Sequence, residues 1–324
     1  MCAAEPQGRR LGVPREAPIG RVVGIADALA KMLVLAAGLV LAAPAQAELY
    51  YLIVGGLGGE AKYQEQFDNQ VKDLAGVARR TTGDARVAVL TGEGATREAI
   101  EKSLTSLKSR AKAADTLAVI LVGHGSFDGE AYKLNLPGPD IDGAAFLELL
   151  KAVPARSQLV VNTTSASGAL LDDWAGEGRT LITATRSGFE RNATRFATHW
   201  AKALADGSAD INKNGVITAQ EAFDYASREV EDAFKTAGTL ATEHPQIKGD
   251  GAARFMVARL ASAPAPATPA LAALDKQKTD LEGKIEALRV RRTEMPNDQY
   301  LNELQALLLQ LADVQGKIDE AQKE

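Results

Sequence analysis

Apolar runs that end in glycine or small polar residues alternate with segments of helical spacing between residues 48 and 261. The runs cover residues 48–59, 85–94, 118–126, 158–168 and 180–188. Because polar residues do not alternate regularly within them, these runs are typical of strands buried on both faces of a sheet. Apolar residues at helical spacing lie between Gln64 and Arg80, and Thr96 is the predicted N-cap of a helix over about 96–112. The pattern predicts an α/β fold with a mostly parallel sheet covered by helices.

The first 47 residues have the layout of a secretory signal. Lys31 and Arg21 precede a short apolar core at 32–44, and Ala45-Gln46-Ala47 places small residues at the minus-three and minus-one positions. The apolar stretch is shorter than the about 20 residues that span a bilayer. We therefore expect residues 1–47 to be an upstream extension and signal peptide. The mature protein is then periplasmic or secreted and has no integral membrane span.

A separate module is predicted after a Pro/Ala linker at 262–270. Apolar residues recur about every seven positions over 271–324, on both sides of Pro296-Asn297-Asp298. The spacing predicts two antiparallel helices that form a hairpin or coiled coil. The predicted seam residues are Leu271, Leu274, Leu281, Ile285, Leu288, Met295, Leu301, Leu304, Leu308, Leu311 and Ile318. Two interpretations stay open: a hairpin folded onto its own domain, or an arm for oligomerisation or partner docking.

Composition excludes several function classes. The 324 residues carry a formal net charge of −5 and only 5% aromatic residues, which argues against a nucleic-acid partner. One cysteine, Cys2, and three histidines leave no basis for a disulfide or a zinc site. Since Cys2 precedes the predicted cleavage site, the mature protein contains no thiol, and a cysteine nucleophile is excluded.

A nucleotide cofactor is not expected either. Gly56-Leu57-Gly58 follows the first apolar run and is compatible with a phosphate-binding turn. The acidic residue that such motifs need about 20 positions later is missing, because that stretch reads Ala78-Arg79-Arg80. A tight turn after the first strand is the better interpretation.

The candidate site lies at the predicted carboxyl ends of three strands, where parallel sheets bind ligands. His124-Gly125 follows one strand, Thr163-Thr164-Ser165-Ala166-Ser167-Gly168 follows the next, and Arg186 follows a third. The first two segments resemble the legumain-like and caspase-like cysteine peptidases. Glu243-His244-Pro245-Gln246 and Gly249-Asp250-Gly251 are similar to the closing segment of bacterial caspase-like proteins. The resemblance covers most of 48–261.

The resemblance implies a caspase-like three-layer sandwich with a peptidase site. His124 falls on the general base of this family, and Ser165 falls on its cysteine nucleophile. The resemblance also makes Gly125 and Arg186 candidate substrate-binding residues. Arg186 at its strand end has the charge to hold a substrate carboxylate, although a surface salt bridge explains it equally well.

Serine at position 165 changes the expected chemistry. A hydroxyl needs a base that is hydrogen-bonded to it and oriented, whereas a thiol is already partly ionised near neutral pH. We expect a pseudo-peptidase that retains the cleft for a peptide or protein partner. The alternatives are a hydrolase with a Ser165–His124 dyad, oriented by Asp128 or Asp172, and plain loop residues without a site.

Residues 210–221 fit a twelve-position calcium loop. The expected ligands are Asp210, Asn212, Asn214, the Val216 carbonyl, Thr218 and Glu221. Gly215 permits the sharp turn at position six, and helices are predicted at 191–206 and 219–235. Only two ligands are carboxylates, so the pattern predicts weak Ca²⁺ binding; a metal-free turn that caps the next helix is the alternative. Glu221-Ala222-Phe223-Asp224-Tyr225-Ala226 is similar to the helix after such loops in bacterial caspase-like proteins.

Overall fold

The computed structural model describes residues 47–249, 251–260, 268–292 and 295–321, together with Met1. The described strands are β1 Leu49–Gly55, β2 Val87–Leu90, β3 Thr116–Val122, β4 Gly125–Phe127, β5 Tyr132–Leu134, β6 Ile141–Asp142, β7 Ser157–Asn162, β8 Arg179–Thr183, β9 Val216–Thr218, β10 Gln246–Lys248 and β11 Met256–Arg259. The described α-helices are α1 Ala61–Thr82, α2 Arg97–Arg110, α3 Gly143–Lys151, α4 Leu171–Trp174, α5 Phe196–Ala205, α6 Ala219–Ala237, α7 Pro269–Val290 and α8 Asn297–Ala321.

A six-stranded sheet in the order β10-β8-β7-β3-β1-β2 forms the centre of the fold. The pairs from β2 through β8 are parallel, and only β10 runs antiparallel to its neighbour β8. The predicted α/β fold with a mostly parallel sheet is therefore confirmed. The five predicted apolar runs contribute β1, β2, β3, β7 and β8.

Helices cover both faces of this sheet. In β1, Tyr51 and Ile53 belong to one apolar core, and Leu52 and Val54 belong to the other. Helices α1, α5 and α6 pack in the first core, and α2, α3 and α4 pack in the second. Because successive residues of a strand point to opposite faces, a continuous apolar run fills both cores at once. This explains why the strands show no polar alternation.

Two small antiparallel sheets extend the central one. Strand β4 begins directly after the His124 position and forms a three-stranded meander with β5 and β6. Strands β9 and β11 pair with each other, so the end of the 210–221 loop is held against the last strand before the linker. The sequence predicted neither sheet, because each strand has only two to four residues and no distinct period.

Helices α7 and α8 form the C-terminal hairpin. Leu271, Leu281, Val314 and Ile318 make its small apolar core. Leu301 and Leu308 belong to the predicted seam. They are 51% and 46% exposed, so the prediction that these two leucines lie in the seam is wrong. The hairpin also contacts the preceding domain. A Cβ on Gly283 would lie 2.8 Å from Cγ of Arg254, so α7 approaches the 252–254 turn closely.

Two predicted segments fall largely outside the described residues. These are the predicted extension and signal segment 1–47, of which only Met1 and Ala47 are described, and residues 262–267 of the predicted linker. Within the described part of the chain, every helix is too short or too polar to cross a membrane.

Candidate functional site

The two loops that carry His124 and Ser165 lie side by side at the carboxyl edge of the sheet. Strands β3 and β7 are parallel neighbours with Leu121 opposite Asn162. A Cβ on Gly125 would lie 2.5 Å from the Ser165 carbonyl oxygen and 2.6 Å from Oγ1 of Thr164. Only glycine fits at position 125, so this residue allows the loops to touch. The sequence prediction that the two segments meet at one edge agrees with this placement.

The His124 side chain packs against helix α1. Its ring makes edge contacts with Tyr63 and Phe67, with centroid distances of 5.0 Å to each. Burial lowers the pKa of the His124 imidazole, although a hydrogen bond to the Gly58 backbone and the charge of Glu60 act in the opposite direction. Burial between aromatic rings therefore disfavours the charged form of this imidazole.

Ser165 lies in a tightly packed turn and is only 3% exposed. The next residue, Ala166, has a left-handed φ of 58°, and its N–H donates to the Glu190 carbonyl over 2.8 Å. Gly168 N–H donates to Oγ1 of Thr185 over 2.8 Å. Between described residues, no hydrogen bond joins the His124 imidazole to the Ser165 hydroxyl. The turn is thus fixed by its neighbours and not by the predicted base.

Neither predicted orienting acid contacts His124. The Asp128 carboxylate accepts the backbone N–H groups of Glu130 and Ala131 and so closes its own turn. The Asp172 carboxylate pairs with Nζ of Lys248 at 2.7 Å. Neither Asp128 nor Asp172 therefore supplies the third member of a serine-based triad.

Arg186 is an exposed residue with a local partner. Its Nε lies 3.1 Å from Oε1 of Glu190, so the salt-bridge interpretation describes this side chain. The same Glu190 oxygen lies 2.5 Å from Nδ1 of His244, and Glu190 Oε2 accepts the His244 backbone N–H. Sequence reasoning missed the Glu190–His244 pair, because 54 residues separate its members and the motif that contains His244 does not point to Glu190.

Glu243 fixes the start of helix α5 beside this pair. Its two carboxylate oxygens accept the backbone N–H groups of Arg195 and Phe196 over 2.7 and 2.8 Å. Burial raises the pKa of Glu243 to about 7, against the lowering effect of those two hydrogen bonds. Thr194, next to them, donates from Oγ1 to the Thr163 carbonyl over 2.5 Å. These bonds tie α5 to the turn that contains Ser165.

Apolar side chains are exposed along the same edge. Phe189, after β8, is 70% exposed, and Leu57, after β1, is 42% exposed. The Phe189 ring makes an edge contact with Phe127 at 5.6 Å, and the Arg191 guanidinium lies 5.7 Å from its centroid. The Phe189 ring is therefore an exposed aromatic surface that is held in place by its neighbours.

Local hydrogen bonds organise the predicted calcium loop. Asp210 is buried, and its two oxygens accept the N–H groups of Asn214 and Gly215. Asn212 Oδ1 accepts the Asn214 N–H, and Asn214 Oδ1 accepts the Val216 N–H. Gly215 has a φ of 76°, which agrees with its predicted role at the sharp turn.

Thr218 and Glu221 start helix α6 with a reciprocal capping box. Thr218 Oγ1 accepts the Glu221 N–H over 3.2 Å, and Glu221 Oε2 accepts the Thr218 N–H over 2.9 Å. The pKa of Glu221 is raised by burial and, more weakly, by the nearby negative charges of Asp210 and Glu282. Helix α6 begins at Ala219, as predicted, and ends at Ala237.

The hairpin reaches this loop through Glu282. Its Oε2 accepts a hydrogen bond of 3.2 Å from Nδ2 of Asn214. Over the described ranges, no three His, Cys, Asp or Glu side chains stand close enough together to hold a metal ion. The predicted ligand set does not depend on such a group, since four of its six members are amide, hydroxyl or carbonyl oxygens. Calcium binding by the loop stays a prediction.

Comparisons with known proteins give a distant structural similarity. No family model and no curated protein matches the chain. Among solved structures, the chain is similar to protein GSU0716 from Geobacter sulfurreducens, with a TM-score of 0.44 and 13% sequence identity. The match covers 62% of this chain and 92% of that one.

Proposed function

We propose that this protein is an exported, non-catalytic homologue of the legumain-like and caspase-like peptidases, which binds a peptide or protein partner. The observation that carries the proposal is that, among the described residues, no hydrogen bond joins the His124 imidazole to the Ser165 hydroxyl. The His124 ring is packed between Tyr63 and Phe67, whereas Ser165 is almost fully buried in a turn held by other residues. A serine nucleophile needs an aligned base within hydrogen-bond reach, and that alignment is missing between them.

The surface around Phe189 is the proposed contact site for the partner. Phe189 and Leu57 are exposed at the carboxyl edge, and Phe127 and Arg191 support the Phe189 ring. Aromatic rings of this kind bury a large area with little loss of conformational entropy, which makes them frequent anchors in interfaces. The packed turns at 163–168 and 185–190 give this surface a fixed base.

Peptide binding tests the proposal directly. Peptides selected from a random heptapeptide display library on the mature protein would be titrated against Phe189→Ser and Leu240→Ser variants. Leu240 is 90% exposed after helix α6 and is the matched control for loss of an exposed apolar side chain. We expect Phe189→Ser to weaken binding at least tenfold and Leu240→Ser to leave it unchanged. Equal effects of the two variants would contradict the proposed surface.

The alternative function is a hydrolase that uses Ser165 and His124. The close contact of Gly125 with the Ser165 carbonyl oxygen favours it, because the two loops are already neighbours. Side-chain rotation on substrate binding would then have to bring the imidazole to the hydroxyl. A Ser165→Ala variant separates the two functions, since it removes hydrolysis but leaves a binding surface around Phe189 intact.

We also propose that the 210–221 loop binds Ca²⁺ and stabilises the domain without promoting chemistry. The twelve-position pattern carries this proposal, and oxygen donors are the ligands that Ca²⁺ prefers. Asp210, Asn212, Asn214, the Val216 carbonyl, Thr218 and Glu221 would hold the ion. With two carboxylates we expect a Kd on the order of 10⁻⁴ to 10⁻³ M, as in extracellular modules.

Thermal unfolding with and without calcium tests the loop. Millimolar Ca²⁺ should raise the Tm by a few degrees, and Mg²⁺ should raise it less, because Mg²⁺ demands a tighter octahedral geometry. Glu221→Gln should abolish the shift. Glu231→Gln is the control, since Glu231 lies on the same helix but pairs with Lys235 at the surface. Identical melting curves in calcium and in chelator would contradict the proposal.

A further inference from the structure

A cavity of about 380 Å³ opens beside the candidate partner surface. It lies between the β4–β5 hairpin, helix α3 and helix α4. Phe127, Leu147, Leu170 and Trp174 give it an apolar floor, and Trp174 is only 1% exposed. The volume falls within the range of small-ligand pockets, which is about 300–1,000 Å³.

The mouth of the cavity carries more negative than positive charge. Glu130, Asp142 and Asp173 line it, and Lys151 is the one cation among its lining residues. Lys151 is already paired with Glu148, 2.8 Å away. Within the described chain, the carboxylates of Glu130 and Asp173 have no ion-pair partner.

Asp142 is partly compensated. One of its oxygens caps helix α3 by accepting the Ala145 N–H over 2.8 Å. The positive charge of Arg97 lies nearby, but the Arg97 guanidinium pairs with Glu101 at 2.9 Å. Glu130 and Asp173 are therefore the rim charges that remain for a ligand.

An apolar floor below free carboxylates fits a ligand with an aliphatic stem and a cationic end. Lysine and arginine side chains have this form, since they bury their methylene stems while the charged head stays near water. An anionic ligand would meet the repulsion of Glu130 and Asp173, and a purely apolar ligand would leave those charges without a counter-charge.

The cavity is continuous with the proposed partner surface. Phe127 lines the cavity, and its ring packs against Gly188 and makes the edge contact with Phe189. Ala169 and Leu170 line the cavity just after the turn that holds Ser165. Tyr132, also in the lining, donates or accepts a 2.6 Å hydrogen bond with Oγ1 of Thr164. A peptide bound along the surface around Phe189 would thus pass the mouth of the cavity.

We propose that this cavity receives a lysine or arginine side chain of the bound partner. That this side chain belongs to a bound peptide or protein rests on the proposed function. The preference for a cationic side chain rests on the cavity alone.

Two small probes test the cavity without the rest of the surface. Nα-acetyl-lysine N-methylamide and its norleucine analogue share the aliphatic stem and differ in the terminal ammonium group. Trp174 lines the cavity, and the second tryptophan of the chain, Trp200, is fully buried elsewhere, so tryptophan fluorescence reports occupancy. We expect the lysine probe to bind in the millimolar range, as suits a ligand of this size, and the norleucine probe at least fivefold more weakly.

Asp173→Asn and Asp172→Asn form the matched pair of variants. The two residues are adjacent, but Asp173 lines the cavity while Asp172 lies outside its lining and pairs with Lys248. Asp173→Asn should reduce lysine-probe affinity at least threefold, and Asp172→Asn should not change it. Ala144→Phe, which fills the cavity from helix α3, should abolish binding.

The outcomes separate the two proposals. Equal binding of the two probes, no fluorescence change at lysine-probe concentrations well above the expected millimolar Kd, or equal effects of Asp172→Asn and Asp173→Asn would overturn the cationic pocket. If the lysine probe binds as expected while Phe189→Ser leaves peptide affinity unchanged, the pocket stands and the proposed partner surface is wrong. Lysine in a selected peptide can also be replaced by norleucine. If this change weakens binding to the parent protein but not to Asp173→Asn, it supports both the cationic pocket and the proposed partner surface.

Discussion

The carboxyl edge of the sheet and the 210–221 loop carry the two motifs of this chain, and they are assembled in opposite ways. In the loop, Asp210, Asn212 and Asn214 are held by bonds between residues at most five positions apart. At the edge, His124 and Ser165 are brought near each other by neighbouring strands, while their side chains are fixed by unrelated partners.

This difference shows what each kind of motif can establish. A motif within one loop specifies its own geometry, because the ligands and the turn are formed by the same few residues. A motif spread over two strands specifies only that the two backbones meet. Whether the side chains then face each other depends on what surrounds them, and here Tyr63, Phe67 and Gly58 hold the imidazole.

The largest loss of stability is expected from a substitution at the carboxyl edge of the sheet, where the packing is tightest. A Cβ on Gly168 would lie 2.2 Å from the Ser187 backbone nitrogen, so Gly168→Ala forces two backbone segments apart. The free energy of unfolding, measured by urea titration, should fall by about 3 kcal/mol or more. Gly94→Ala is the control, because an added Cβ there meets no atom within 4 Å. Comparable losses in both variants would contradict the packed edge.

The second prediction concerns the pH dependence of the same edge. The pKa of Glu243 is about 7 in the folded protein, against an ordinary value of 4.5. Between these values the unfolded chain has released the proton and the folded chain retains it. The contribution of Glu243 to the free energy of unfolding is therefore fully present below pH 4.5 and is lost as the pH rises through 7. The expected total loss is about 3 kcal/mol.

Glu243→Gln tests this prediction by urea unfolding between pH 4.5 and 8. The difference in stability between the variant and the parent protein should change with pH by about that amount, in favour of the variant at high pH. Glu231→Gln, a change at an exposed carboxylate of helix α6, serves as the control. A pH-independent difference for Glu243→Gln would show that the buried carboxylate does not titrate in this range.

The stability of the domain should depend more on Asp210 than on Asn212 of the 210–221 loop. Asp210 is buried and accepts two backbone N–H groups, so Asp210→Ala should lower the free energy of unfolding by about 2 kcal/mol in chelator. Asn212 is exposed, and Asn212→Ala should cost about 0.5 kcal/mol or less. Both variants should lose the calcium-dependent rise in Tm. A small effect of Asp210→Ala in chelator would mean that the loop is not preorganised.

The smallest expected effect comes from the hairpin. Removal of residues 263–324 deletes the Glu282–Asn214 hydrogen bond and the close contact of Gly283 with Arg254. The remaining domain should still unfold cooperatively, with a Tm lower by a few degrees. Loss of cooperative unfolding would mean that the hairpin belongs to the main core. A change in oligomeric mass by light scattering would identify the hairpin as an oligomerisation arm.

Sequence patterns predicted the central sheet well, because continuous apolar runs such as 118–122 and 159–161 fill two cores at once. The capped start of α2 was also predictable, since Thr96 accepts the Ala99 N–H as an N-cap should. Leu301 and Leu308 were misassigned because a seven-residue repeat does not tell which leucines face the partner helix near a turn. The Glu190–His244 pair and the cavity near Trp174 depend on long-range packing and left no local signal.

The most direct test of the central claim is peptide hydrolysis by the mature protein and by its Ser165→Ala variant. Both proteins would be incubated with a diverse mixture of peptides, and the products would be followed by mass spectrometry. The absence of a hydrogen bond between His124 and Ser165 among the described residues predicts no turnover by either protein, together with equal binding of the selected peptides. Turnover by the parent protein that disappears in Ser165→Ala would contradict the claim and identify an active serine hydrolase.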